Sequence, residues 1–239
     1  ECTNLINIKI DKNNKIYDSR NDCNAIIKAS ENELIFGFKS TIIPDSVTRI
    51  DDDAFFGCSG LTSIEIPKSV TSIGKSAFYG CRDLTSIVIP KSVTYIDKDV
   101  FLGCDSLVSI SLPFVGDKLE NPEYNNIGYF FGTTIASSNS TVIPKKLKEV
   151  ITTKATSIES SAFEGCSGLT SIEIPNSVTS IESSAFEGCS ALENITIPDS
   201  VTEINGNVFI GCTSLSSVIV DKNLSLIHIS EPTRHSLIS

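Results

Sequence analysis

The stretch that decides the fold is Cys58-Ser-Gly-Leu61-Thr-Ser-Ile64-Glu-Ile66-Pro67-Lys-Ser-Val70-Thr-Ser-Ile73-Gly-Lys-Ser-Ala77-Phe78-Tyr-Gly-Cys81. The phrase returns from Cys81 to Cys104, from Cys166 to Cys189 and from Cys189 to Cys212, each time over the same interval. A fixed period of about 23 residues marks stacked supersecondary units, none of which can bury its apolar face alone. The expected fold is therefore a β-rich solenoid and not a globule around one closed core. Residues 156–167 and 179–190 are identical, the mark of a recent duplication.

Each position of the phrase has a physical reading. Ile64 and Ile66 alternate with polar residues, as in a short half-buried strand. Pro67 has no N–H to give to a ladder and ends that strand. Val70 and Ile73 return apolar side chains to the core along a second extended edge. Ala77-Phe78-Tyr-Gly80-Cys81 reads as a tight helical or 3-10 turn, with phenylalanine filling the interior and glycine at the bend. Leu84 then enters the next strand. Short parallel strands stacked at about 4.8 Å are expected on a concave face, with the turns opposite.

The full pattern, C-x-x-L-x-x-I-x-I-P-x-x-V-x-x-I-x-x-x-A-F-x-G-C, resembles the BspA-like, treponemal-type branch of the leucine-rich repeats. The likeness is close over residues 41–113 and 144–220 and looser over 2–40. It implies a bacterial, host-associated source, a curved array, and a cell-surface or secreted protein that adheres to a protein ligand. That ligand class covers host extracellular matrix and other surface proteins. The resemblance carries over no catalytic residue and no cofactor, and no motif fixes which residues adhere.

Two breaks in the period divide the chain. Residues 1–40 read as a truncated repeat followed by an irregular element, in which 24–38 form a β-hairpin turning near Ser30-Glu31-Asn32. Residues 41–113 are regular repeats, 114–157 an aromatic insertion with a register shift, 158–223 regular repeats again, and 224–239 a tail outside the pattern. Around the insertion, Pro113, Pro144 and Pro175 read as the ends of consecutive strands, evenly spaced but farther apart than the regular period, with Leu147-Lys-Glu-Val150-Ile151 as an additional strand-like run. Tyr129-Phe130-Phe131-Gly132 should take the place of Ala-Phe-x-Gly-Cys and plug the core, whereas Tyr124, in a polar loop, should be exposed. Residues 224–234 resemble an in-frame translation of a sequencing-library adapter, and the tail is expected to lie outside the fold.

Composition narrows the chemistry. Net charge is −10, from 29 acidic and 19 basic residues, and there is no basic stripe to hold a phosphate backbone. No apolar run is long enough to cross a bilayer. The only histidines, His228 and His235, lie in the tail, so a cysteine nucleophile in the repeats would lack its usual base. The cysteines show no short paired spacing for a metal. Stacked turns bring Cα atoms to about 5 Å, within disulfide range, yet a repeated packing position accounts for every copy. Cys58, Cys81, Cys104, Cys166, Cys189 and Cys212 are therefore expected as buried thiols; Cys23 lies outside the ladder. Asp51-Asp52-Asp53 lacks the ligand spacing of a calcium loop. Asn139-Ser-Thr141 and Asn194-Ile-Thr196 are acceptor-like triplets that matter only in a eukaryotic secretory pathway.

The outward strand positions are mostly small and polar, which makes them poor anchors but fit for weak multivalent contact. The candidate partner contacts are Tyr124 on the insertion and Ser63, Glu65, Ser171 and Glu173 on the strand face. The expected function is a non-enzymatic interaction or adhesion module. The alternatives are an intracellular or periplasmic repeat scaffold and a repeat appendage of a larger enzyme.

Overall fold

The computed structural model describes residues 5–119 and 122–220. The expectation for the tail, 224–239, lies outside the described residues. The chain winds as a β-solenoid whose turns add strands to two sheets. In the first, here the main sheet, Ser86–Val88, Ser109–Leu112, Glu149–Thr152 and Ser171–Glu173 pair in parallel in that order. Asn194–Ile197 lies beside Ser171–Glu173 and pairs in parallel with Ser217–Val220. In the second sheet Glu33–Phe36, Arg49–Ile50, Ser72–Ile73 and Tyr95–Ile96 pair in parallel, and Ser157–Ile158, Ser180–Ile181 and Glu203–Ile204 form a separate parallel set. Register follows the period: Ile50 faces Ile73, which faces Ile96, and Ile158 faces Ile181, which faces Ile204.

The phenylalanine turn closes through bonds of the 3-10 type. The Tyr79 amide donates to the Ser76 carbonyl at 2.9 Å and the Cys81 amide to the Phe78 carbonyl at 3.2 Å. Turns also bond from rung to rung. Phe55 N donates to Ala77 O and Gly57 N to Tyr79 O, each at 2.7 Å, and Gly80 N donates to Leu102 O at 2.8 Å. Backbone groups at the turns thus find partners in the neighbouring rung, as buried polar groups must. Inside, Phe55, Phe78 and Phe101 stack with centroids 5.1 and 6.0 Å apart, and Phe163, Phe186 and Phe209 with centroids 5.5 and 5.8 Å apart. Burying each ring contributes about 2 kcal/mol. The turns stack closely: a Cβ on Gly103 would lie 3.3 Å from Gly80 Cα, with φ already at +77°. Only glycine satisfies both conditions without strain.

A second backbone device recurs just before each phenylalanine turn. Asp53, Ser76, Asp99, Ser161, Ser184 and Asn207 all hold φ between +55° and +67°. A left-handed residue costs about 1–2 kcal/mol, and short polar side chains are the ones that tolerate it best. It redirects the chain from the second sheet into the turn, once per rung.

At the start of the array, Ile26–Lys28 and Glu33–Phe36 form the expected antiparallel hairpin. Tyr17–Asp18 adds a third antiparallel strand that the pattern did not foretell. Arg20 holds it, its guanidinium meeting Asp18 at 2.8 and 2.6 Å and Asn32 Oδ1 at 2.8 Å. Residues 5–10 take no regular structure, with Leu5, Ile8 and Ile10 half-buried.

Candidate interaction surface

The insertion is spliced into the array by substitutes for missing backbone partners. Ser109 pairs with Glu149 and Glu149 with Ser171, so the turn from 109 to 149 is much longer than the period and the turn from 149 to 171 is close to it. The even division at Pro144 is thereby corrected. Pro144 follows the short helix Asn139–Val142 and ends no strand; Thr153 stands where the phrase has proline. Thr152 takes the second isoleucine's place, buried, its hydroxyl donating to Glu173 O at 3.2 Å. The expected strand-like run at 147–151 is real, as Glu149–Thr152.

The 3-10 helix Ile127–Phe131 replaces the standard phenylalanine turn. Asp99 N donates to Tyr129 O at 3.1 Å and Phe101 N to Phe130 O at 2.8 Å, while Ile127 N donates onward to Ala162 O at 2.9 Å. In regular rungs a glycine amide reaches the next turn, as Gly165 N reaches Glu187 O at 2.7 Å. For Glu164 O that donor is the side-chain amide of Asn139, also at 2.7 Å. Asn139 is wholly buried, so the acceptor-like triplet it begins is closed to modification. Tyr129, Phe130 and Phe131 are buried as the expected plug, Phe130 and Phe131 lying 6.3 and 6.1 Å from Phe101.

The splice treats the two sheets differently. The main sheet runs through it, since Ser109–Leu112 pairs directly with Glu149–Thr152. The second sheet stops: Ile96 N donates to Asp117 O at 2.9 Å, and Tyr95 forms an isolated antiparallel bridge with Lys118. A new parallel set begins at Ser157–Ile158.

Tyr124 departs from expectation, being half-buried where the polar loop implied full exposure. Its ring stacks on Tyr129 with centroids 4.8 Å apart and planes 15° apart. The cause is a fold-back. The buried Asp117 carboxylate accepts from Glu123 N at 2.9 Å and Tyr124 N at 3.3 Å, and Asp117 N donates to Tyr124 O at 3.2 Å. Gly116 permits the approach, because a Cβ there would sit 1.8 Å from Tyr124 O. Tyr129 donates its hydroxyl to Asp97 Oδ1 at 3.3 Å; burial first, then the Asp97 charge, pushes its ionisation well up. Tyr95, 40% exposed, stands beside the same carboxylate and is pushed up by burial and by Asp97. Sequence reasoning missed Tyr95. The one signal was its ring at an outward position filled elsewhere by Arg49, Ser72, Ser157, Ser180 and Glu203.

The other candidate contacts lie apart from Tyr124, along the main sheet. Ser63, Glu65, Ser171 and Glu173 are all exposed. Glu65 and Glu173 fall in one row, separated by Val88, Ser111 and Ile151. Val88 is 64% exposed and makes the middle of that row apolar.

Four ladder thiols donate to a carbonyl in the preceding rung: Cys81 to Phe55 at 3.3 Å, Cys104 to Phe78 and Cys189 to Phe163 at 3.2 Å, and Cys212 to Phe186 at 3.1 Å. Cys81, Cys104, Cys166 and Cys189 are buried as expected, whereas Cys58 and Cys212 are only half-buried. The unit beside Cys58 is the hairpin, and its thiol meets Gly37 O at 3.4 Å; Cys212 sits in the last described turn. Burial pushes the thiols of Cys104 and Cys212 up to about 12, and those of Cys81 and Cys166 are also raised by burial. A thiol so raised is a poor nucleophile at neutral pH.

Among the described residues, no group of three or more His, Cys, Asp or Glu side chains is placed to hold a metal ion, and no helix is long and apolar enough to cross a membrane. Two cavities against the insertion measure about 10 and 30 Å³, room for little more than a water molecule.

The sequence matches the BspA type leucine rich repeat region in six copies, over residues 26–150 and 144–231. Among solved structures, a leucine-rich repeat protein from Eubacterium ventriosum is similar at 25% identity and a TM-score of 0.61, covering 98% of this chain and 56% of that one. The pneumococcal vaccine antigen PcpA is similar at 18% identity and a TM-score of 0.50, covering 90% of this chain and 50% of that one. A search of curated proteins finds no match. The chain thus spans about half the length of these two solved structures. With its columns of Phe, Gly and Cys recurring at one fixed interval and the family pattern running along most of its length, the chain belongs to the BspA-type leucine-rich repeat family.

Proposed function

We propose that this chain is a non-enzymatic protein-interaction module of a bacterial cell-surface or secreted protein, acting in adhesion. The observation that carries the reading is the break in the repeat. There the fold runs one long turn from Ser109 to Glu149 and sets Tyr124, stacked on Tyr129, at the surface of an otherwise uniform array. Tyrosines are enriched among residues that dominate binding energy, and serine is not. The main-sheet row through Ser63, Glu65, Ser171 and Glu173 adds weak contacts whose value lies in avidity. Surface location and adhesion rest on membership of the family.

The test is binding of the wild type, Tyr124→Ala, Ser171→Ala and Glu173→Ala to immobilised host-matrix and bacterial surface proteins. Tyr124→Ala should weaken binding about tenfold, the loss typical of an interface anchor, and each strand change less than twofold. Abolition by the strand changes with a silent Tyr124→Ala would move the site to the main sheet. A wild type that binds no protein of the panel would remove the adhesion reading.

A further inference from the structure

The second sheet carries a row of side chains one residue beyond its core isoleucines: Asp97 after Ile96, Glu159 after Ile158 and Glu182 after Ile181. The insertion lies in the middle of this row and adds tyrosines to it. Tyr95 is outward on the last strand before the splice, Tyr129 bonds to Asp97, and Tyr124 stacks on Tyr129. Three of the chain's five tyrosines therefore meet beside one carboxylate. Tyrosine faces attract cations, and a carboxylate next to them adds to the attraction.

The charge distribution points the same way. Residues 155–220 hold eight carboxylates and no lysine, arginine or histidine, so most of the net charge of −10 sits downstream of the splice. Lys98 and Lys118 are exposed beside the tyrosines but stand against Asp97, Asp117, Glu159 and Glu182. The row also favours an elongated ligand, since its carboxylates follow the strands from Tyr95–Ile96 across the splice to Ser157–Ile158 and Ser180–Ile181.

We propose that this face, from Tyr95 and Tyr124 past Asp97 to Glu159 and Glu182, docks an extended basic segment of a partner protein. Arginine or lysine side chains of that segment lie over Tyr95 and Tyr124 and pair with the carboxylate row. The proposal rests on the interaction-module reading and names the partner's chemistry.

The chain contains no tryptophan, so its emission comes from five tyrosines, three of them at this site. The full chain is titrated with a twelve-residue peptide alternating arginine and serine, and separately with one alternating glutamate and serine. A saturable emission change is expected with the arginine peptide alone, weakening about tenfold between 50 and 300 mM salt as screening grows. Tyr95→Ala and Tyr124→Ala should each weaken it about threefold to tenfold, with Tyr95→Phe and Tyr124→Phe close to wild type. Glu159→Gln with Glu182→Gln should weaken it similarly, while Glu193→Gln, on the main-sheet side, should not. Unchanged thermal midpoints of Tyr95→Ala and Glu182→Gln separate lost binding from lost folding.

No saturable change with the arginine peptide overturns the proposal. So does an equal loss from Glu193→Gln, which would mean diffuse attraction to an acidic chain, or calcium alone reproducing the change and blocking the peptide. If the panel proteins bind but the arginine peptide does not, this proposal fails and the adhesion reading stands. If neither binds, both fail.

Discussion

A thiol is a small hydrophobe and a weak donor, and the cysteine ladder uses both properties. Each buried copy fits a close-packed turn, and Cys81, Cys104 and Cys189 also donate into the rung before. The raised ionisation makes stability depend on pH. An unfolded thiol ionises near pH 8.5, the folded Cys104 only near 12. Between those values the unfolded chain sheds a proton that the folded chain keeps. The stabilisation is therefore complete below about pH 8.5 and falls as pH rises toward 12. Urea unfolding at pH 8 and pH 10.5 should show the wild type losing about 2–3 kcal/mol more than Cys104→Ala over that interval. An equal loss in both would show that the thiol is not shielded. Phenylalanine and cysteine were legible because they return at the same positions in every regular rung. The left-handed residues were not. Asp53, Ser76 and Asn207 share only shortness and polarity, which also describes most of the surface.

At the scale of elements, the insertion shows how a repeat can be interrupted without being broken. Asn139 is the clearest case, a side chain standing in for a backbone amide. Its Nδ2 is committed to Glu164 O, while its own Oδ1, like that of Asn126, is buried without a hydrogen-bond partner. Asn139→Ala leaves the Glu164 carbonyl without its donor and should cost about 2 kcal/mol. Asn139→Asp puts an acceptor and a buried charge where a donor is needed and should cost more. Chemical denaturation measures both, with the exposed Ser140→Ala as a control near zero. A cost for Asn139→Ala no larger than the control's would mean that the splice holds without this bond. The aromatic plug was legible from Tyr129-Phe130-Phe131-Gly132, which copies the standard turn. The division of the two irregular turns was not. Pro144 imitates a strand-ending proline, and nothing local shows that Thr152 can fill an isoleucine position through a hydroxyl bond across the rung. Tyr124 was misplaced for a related reason: a polar loop reads as exposed until the buried Asp117 carboxylate folds it back.

For the whole molecule, the period alone was enough to foretell stacked parallel strands, because identical phrases can only bury one another. Which faces differ was harder to see. Outward residues are free to vary, so the meeting of Tyr95 with Tyr124 and Tyr129 depends on a register that only the folded splice defines. That splice has a mechanical consequence. The two sheets act as the flanges of a beam, and one flange is cut between Tyr95–Ile96 and Ser157–Ile158 while the other is continuous through Ser109–Leu112 and Glu149–Thr152. Amides at 157–159 should therefore exchange with deuterium faster than their counterparts at 180–182, with no matching difference between 149–152 and 109–112. Equal exchange at both second-sheet sites would mean the cut flange is as stiff as the whole one. A beam notched on one side flexes at the notch and in one plane. Here the notch lies beside the tyrosines, so bending of the array opens or closes that face and leaves the spacing of the opposite one unchanged.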